Sequence, residues 1–165
     1  MTSEKRKKIL IIGGPYNRNN KAIVGGVTRS IDNIVNSSLF KSKFKCDVFD
    51  DSFKYNKYII SAFTLIKSSI KFSSEIKKKN YDLALLFCNS VNLAFIQKFL
   101  FALLVKIAGV KLVVRYGGSV SFDFFSKNNL RIFFNYFFKL QTGIMVQGLT
   151  AKRFYRKFKK DNCFT

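Results

Sequence analysis

"KKILIIGGPYNRNNKAIVGGVTRSIDNIV", residues 7–35, holds the reading that decides the fold. The apolar run Ile9–Ile12 closes on Gly13-Gly14 and predicts a buried strand over 8–13. From Gly25-Gly26 the spacing changes. Val27, Ile31, Ile34, Val35 and Leu39 fall on one stripe of a helix, predicting a helix over 25–40. Between them lies a polar segment, 14–24, with Asn17, Arg18, Asn19, Asn20 and Lys21. A strand-to-helix connection in an α/β unit is commonly about two to six residues long, and a longer one tends to be functional.

The alternation continues along the chain. "FKCDVFD", 44–50, is a β-type run. A helix is expected at about 58–78, with Ile59, Phe63, Ile66 and Ile70 on one side. "YDLALLF", 81–87, is continuously apolar, as in a strand covered on both faces. A helix over 91–108 stops at Gly109, a favoured residue just past a helix end. "KLVVRYGG", 111–118, is a fourth strand, and 128–140 a Phe-rich helix. "GIMVQG", 143–148, is a fifth strand, and 150–160 a last helix opened by Thr150 as N-cap. Strand and helix in strict turn predict an α/β fold: a Rossmann-like, doubly wound parallel sheet with helices on both faces. Ligands of such sheets bind at the carboxyl ends of the strands. Here those ends carry Gly13-Gly14, Asp50-Asp51, Cys88-Asn89-Ser90, Tyr116-Gly117-Gly118-Ser119 and Gln147-Gly148.

Composition narrows the chemistry. With 165 residues the chain is expected to form a single domain with a real core. It contains no His, which removes the commonest general base and metal ligand. Cys46, Cys88 and Cys163 lie far apart, so neither a zinc site nor a disulfide framework is expected, and no metal. The longest apolar stretch is interrupted by Asn92, Gln97, Lys98, Lys106 and Lys111 and reads as a packed helix plus a strand, not a membrane span.

Gly25-Gly26 places the first N–H groups of a helix at the rim of the sheet. Such an end, with its dipole, suits phosphate. The spacing is neither GxGxxG nor a P-loop, since no Gly-Lys-Ser/Thr closes it. The plainer reading is a surface loop whose glycines only turn the chain.

Four blocks together, "KKILIIGG…GGVTRSIDNI", "YDLALLFCNS", "KLVVRYGGSVSFDFF" and "GIMVQGLTAKRF", resemble the N-terminal domain of family 4-type glycosyltransferases of GT-B fold, over about residues 7–160. The resemblance implies two Rossmann-like domains facing across a cleft, this one on the acceptor side. It implies a nucleotide-sugar as donor substrate, with no separate cofactor. Gly25, Gly26 and Val27 would then lie near the donor diphosphate, and Tyr116, Gly117, Gly118 and Ser119 would line the cleft; Asn17, in the loop that could fold over the anion site, and Gln147, at the fifth strand's end, are binding candidates by position. Where many relatives have His-Gly at the fourth strand's end, this chain has Tyr116-Gly117. Asp123 is the nearest carboxylate and a candidate for a base, with helix capping as the competing explanation. The family's donor-binding domain has no counterpart in residues 1–165, so the isolated domain is expected to be inactive and to need that domain in cis or in trans.

Charge adds a partner. Thirty basic against nine acidic residues give +21. Such a surface seeks polyanions. In 151–160, Lys152, Arg153, Arg156 and Lys157 interleave with Phe154 and Phe158, a mixture suited to an anionic interface. A cytoplasmic protein, peripheral on the inner face of the cell membrane and acting on a lipid-linked or other glycan acceptor, is the expectation. Nucleic acid is the lesser reading, because no nucleic-acid motif accompanies the charge. The alternative to a transferase is a non-catalytic Rossmann-like module that binds an anionic or lipid-linked ligand.

Overall fold

A computed structural model describes residues 6–14, 26–51, 62–88, 93–116, 131–146, 152, 153, 156, 163 and 164. Among these residues are six strands: β1 Lys7–Ile12, β2 Phe44–Phe49, β3 Leu83–Cys88, β4 Lys111–Tyr116, β5 Gly143–Val146 and β6 Cys163–Phe164. They form one sheet in the order β2-β1-β3-β4-β5-β6, and every neighbouring pair is parallel. This is the doubly wound sheet expected from the alternation. The sequence reading omitted β6, a two-residue strand too short to show a period.

Among the described residues five helices pack on the sheet: α1 Gly26–Asn36, α2 Ser38–Lys43, α3 Ala62–Lys79, α4 Leu93–Ile107 and α5 Arg131–Leu140. Side-chain alternation divides the core. On one face, Ile9, Ile11, Leu85 and Phe87 meet Ile31 and Val35 of α1, with Phe40 of α2 packed beside them. On the other, Leu10, Ile12, Ala84, Leu86, Leu112 and Val114 meet Phe72 and Ile76 of α3, Phe101 and Val105 of α4, and Phe137 of α5. Phe72 and Phe101 stack at 4.5 Å, and Phe49 meets both edge-on at 5.0 and 5.7 Å, tying the end of β2 to two helices.

One helix expectation needs correction. The helix predicted over 25–40 is two helices. Ser37 leaves the helical region (φ −61, ψ 124) and its hydroxyl accepts from the Phe40 N–H, capping α2. The break turns Leu39 out to solvent, off the stripe it was assigned to. In α3 the side that carries Phe63, Ile66 and Ile70 is exposed, and Phe72 and Ile76 face the sheet. Ile59 lies outside the described residues.

The amino edge of the sheet is closed by polar turns. Asp82 accepts from the Lys8 N–H at 2.7 Å and returns its own N–H to the Lys8 carbonyl at 2.9 Å. Thr142 does the same for Leu112, at 3.1 and 2.6 Å. The Tyr81 hydroxyl donates to Asp47 at 2.9 Å. Burial and this bond push the phenol above its ordinary range.

Candidate functional site

The chain passes from β1 to β2 on one side and returns to β3 on the other, so the order of strands reverses between β1 and β3. A crevice opens at such a point, outside the carboxyl ends of the strands. Gly13 stands there, buried, its N–H donating to the Phe49 carbonyl at 3.2 Å. A Cβ on Gly13 would lie 3.1 Å from both Ile31 Cδ1 of α1 and Phe87 Cβ of β3. A side chain there would make helix and strand give way by a few tenths of an ångström, so glycine suits the close approach.

The helix that follows begins at Gly26. A Cβ there would meet nothing within 4 Å, so nothing in the described fold requires glycine. The first turn of α1 carries no acidic residue, and the positive end of its dipole faces no carboxylate of its own. Val27, the next residue, turns its side chain to the core face with Ile31. Of the predicted phosphate site, Gly26 supplies the open backbone and Val27 the anchor. Asn17 and Gly25 lie outside the described residues.

The strand ends beyond the crevice are arranged differently from one another. Tyr116 ends β4, one strand removed from β1. Its side chain is buried against Phe137 and Phe138, and its hydroxyl accepts from Gln141 Nε2 at 2.9 Å. The ring is thus committed to the core, on the face opposite α1. Gly117, Gly118, Ser119, Asp123 and Gln147 lie outside the described residues.

Arg115 was missed by sequence reasoning. It precedes Tyr116, so strand alternation turns it to the α1 face, where its guanidinium sits 5.2 Å from the centre of the Phe87 ring. Phe87 is the residue against which Gly13 packs. Gly13, Phe87 and Arg115 therefore run in contact across three adjacent strands toward one rim. Among the described residues no carboxylate pairs with Arg115. The signal in the sequence was its place, one residue from the end of an otherwise apolar strand.

The opposite layer is fixed at the same rim. Asp51, two residues past β2, pairs with Lys98 of α4, and both side chains are buried. Gln97 donates to the Asp51 carbonyl at 3.4 Å. Burial pulls the Lys98 ammonium down to about 7, and the carboxylate of Asp50 opposes that shift. The pair is sealed from solvent and binds the end of β2 to α4. Of the predicted membrane helix, Lys152, Arg153 and Arg156 are described. Lys152 and Arg153 are helical, and the Arg156 N–H donates to the Lys152 carbonyl at 3.0 Å. Phe154, Lys157 and Phe158 lie outside the described residues.

A scan against family models and a search of curated proteins return no match. A crystal structure from Listeria monocytogenes, provisionally named a UDP-N-acetylglucosamine 2-epimerase, is similar with a TM-score of 0.60 at 13% identity. The match covers 97% of this chain and 44% of that one, so the chain spans less than half the length of its neighbour. The likeness establishes the architecture: a Rossmann-like α/β domain of GT-B-like fold.

Proposed function

We propose that the chain is the acceptor-side domain of a glycosyltransferase, moving a sugar from a nucleotide-sugar to a lipid-linked or other glycan acceptor once a donor-binding domain faces it. The observation that carries this reading is the open amino end of α1. It stands at the strand-order reversal, with free space at Gly26, no acid in its first turn, and Arg115 on the same face. Backbone N–H groups, a helix dipole and a guanidinium fork suit a diphosphate. The similar structure bears the name of an enzyme of a nucleotide-sugar, which supports the same ligand class. In this reading the chain's own part is to hold and orient. The N–H groups of α1 and Arg115 stabilise charge on the diphosphate as the sugar leaves, and the rest of the site comes from the facing domain. A site built from both sides of the reacting centre does nothing with one side missing.

The test is UDP binding by calorimetry, with UDP-sugar turnover measured beside it. The wild-type chain binds UDP weakly and turns over no UDP-sugar. Gly26→Ala and Arg115→Gln each weaken UDP binding, the latter by about tenfold, as for one lost charge-assisted hydrogen-bond pair. Neither changes the melting temperature much, because the added Cβ at Gly26 meets nothing. UDP binding that is absent, or indifferent to both substitutions, overturns the reading.

A further inference from the structure

The three helices of the α3 side present an outward surface that the sheet does not use. On α3, Phe63, Ile66 and Ile70 are 74%, 58% and 66% exposed. Their spacing of three and four places them on one stripe of the helix. On α4, Ile96, Leu103 and Ile107 are exposed at spacings of seven and four, while Lys98 on the same helix is buried. On α5, Tyr136 is exposed with Lys139 over its ring at 5.7 Å. Two of these helices therefore turn apolar side chains to solvent, against the usual preference.

Charge indicates what covers them. Lys67, Lys71, Lys77 and Lys78 flank the stripe on α3, and Lys106 and Lys139 lie on α4 and α5, all exposed. Within the three helices the only acidic residue is Glu75, which is paired with Lys79 at 2.7 Å. Among the described residues no helix is long and apolar enough to cross a membrane. An amphipathic surface with a lysine margin lies on an anionic bilayer: its rings and branched chains enter the headgroup boundary while the ammonium groups meet phosphate. A protein partner would need an acidic apolar face. Nucleic acid would gain nothing from isoleucines.

We infer that the outer face of α3 and α4 docks this protein on an anionic lipid surface, with Phe63, Ile66 and Ile70 as its apolar contact. The inference rests on the exposed faces of α3 and α4 and not on the nucleotide chemistry of the proposed function, so UDP binding is an independent control.

The experiment is cosedimentation with phosphatidylcholine vesicles, with and without phosphatidylglycerol. Wild type is compared with Phe63→Ser/Ile66→Ser/Ile70→Ser, with Lys67→Gln/Lys71→Gln, with Lys41→Gln/Lys43→Gln on α2 of the opposite face, and with Lys152→Gln/Arg153→Gln/Arg156→Gln. Circular dichroism checks the fold of each; the altered side chains are exposed, except that of Lys152, which is half-buried. Wild type should bind only the anionic vesicles. The triple serine variant should lose binding at least tenfold, including the part that survives about 0.5 M salt, where charge is screened. Each lysine removed from α3 should cost about fivefold. The α2 pair should change binding less than the α3 pair. Unchanged vesicle binding by the serine variant overturns the inference, as does loss confined to the 152–156 variant. So does a preference for single-stranded oligonucleotide over vesicles at equal salt, or vesicle-independent self-association that the serine substitutions abolish. Vesicle binding that follows the α3 substitutions in a chain that ignores UDP leaves the inference standing and removes the proposed function.

Discussion

Lys98 and Asp51 show how one residue pair can hold a rim in place without touching a ligand. The lysine sits in α4 among Phe95, Phe101 and Ala102, where an unpaired charge would cost several kcal/mol. Lys98→Met removes one partner and leaves the Asp51 carboxylate buried. The expected loss is about 3–5 kcal/mol in urea unfolding. Replacing both, Lys98→Met with Asp51→Leu, should restore most of it, since a well-packed apolar pair is often as stable as the ion pair it replaces. A double variant as unstable as the single one would mean that leucine does not pack where the carboxylate stood, since the backbone carbonyl that accepts from Gln97 is present in both. Nothing in the sequence pointed to this pair. Asp51 and Lys98 are 47 positions apart, and a lysine within a helical run reads as its solvent face until the fold brings a carboxylate to it.

At the scale of elements, local chemistry was legible and long-range choice was not. Gly109 takes φ +72 at the end of α4, its N–H donating to the Lys106 carbonyl and the Val110 N–H to that of Val105. This is the glycine stop that its position predicts. A Cβ at Gly109 would meet nothing within 4 Å, so the cost of Gly109→Ala is that of the backbone alone, about 1–2 kcal/mol. Gly109→Asn should cost less, because asparagine tolerates this conformation, as Asn80 does at φ 45 after α3. Equal melting temperatures for all three would show that the turn re-forms without a left-handed residue. The strands were legible for a similar reason: a run such as Leu83–Cys88, covered on both faces, has no polar alternative. Which side of α3 the sheet covers was not legible, because periodicity marks an apolar face without saying what covers it. Phe72 and Ile76 form a second, narrower face, and the sheet took that one. Ser37 was passed over because a serine within a helical run can either continue the helix or cap a new one. At the candidate site, Gly13 and Gly26 were visible as strand-end and helix-start glycines. Arg115 was not, since the meaning of its side chain depends on which face of the sheet α1 occupies.

At the scale of the whole molecule the dominant quantity is charge. Thirty cationic side chains stand against nine acidic ones. Among the described residues, Asp47 and Glu75 meet on Lys79, and Asp51 is taken by Lys98. Most of the cations therefore face one another through solvent. Self-repulsion of this kind destabilises the compact state, and the unfolded chain relieves it by expanding. Added salt screens it: the Debye length falls from about 10 Å at 0.1 M to about 3 Å at 1 M. The melting temperature should rise with sodium chloride between these limits, the opposite of what a fold held by surface ion pairs would do. Polyvalent anions should act at far lower concentration than chloride, because they bind the cationic surface of the folded state and do not merely screen it. The two effects separate by comparison. A melting temperature that rises with chloride alone reports general screening. A further rise with pyrophosphate at millimolar concentration, lost in Arg115→Gln but kept in Lys67→Gln/Lys71→Gln, reports the rim of the sheet. A melting temperature that falls with chloride would show that the described pairs at Lys79 and Lys98 outweigh the repulsion, and that the excess charge is spread too thinly over the surface to matter.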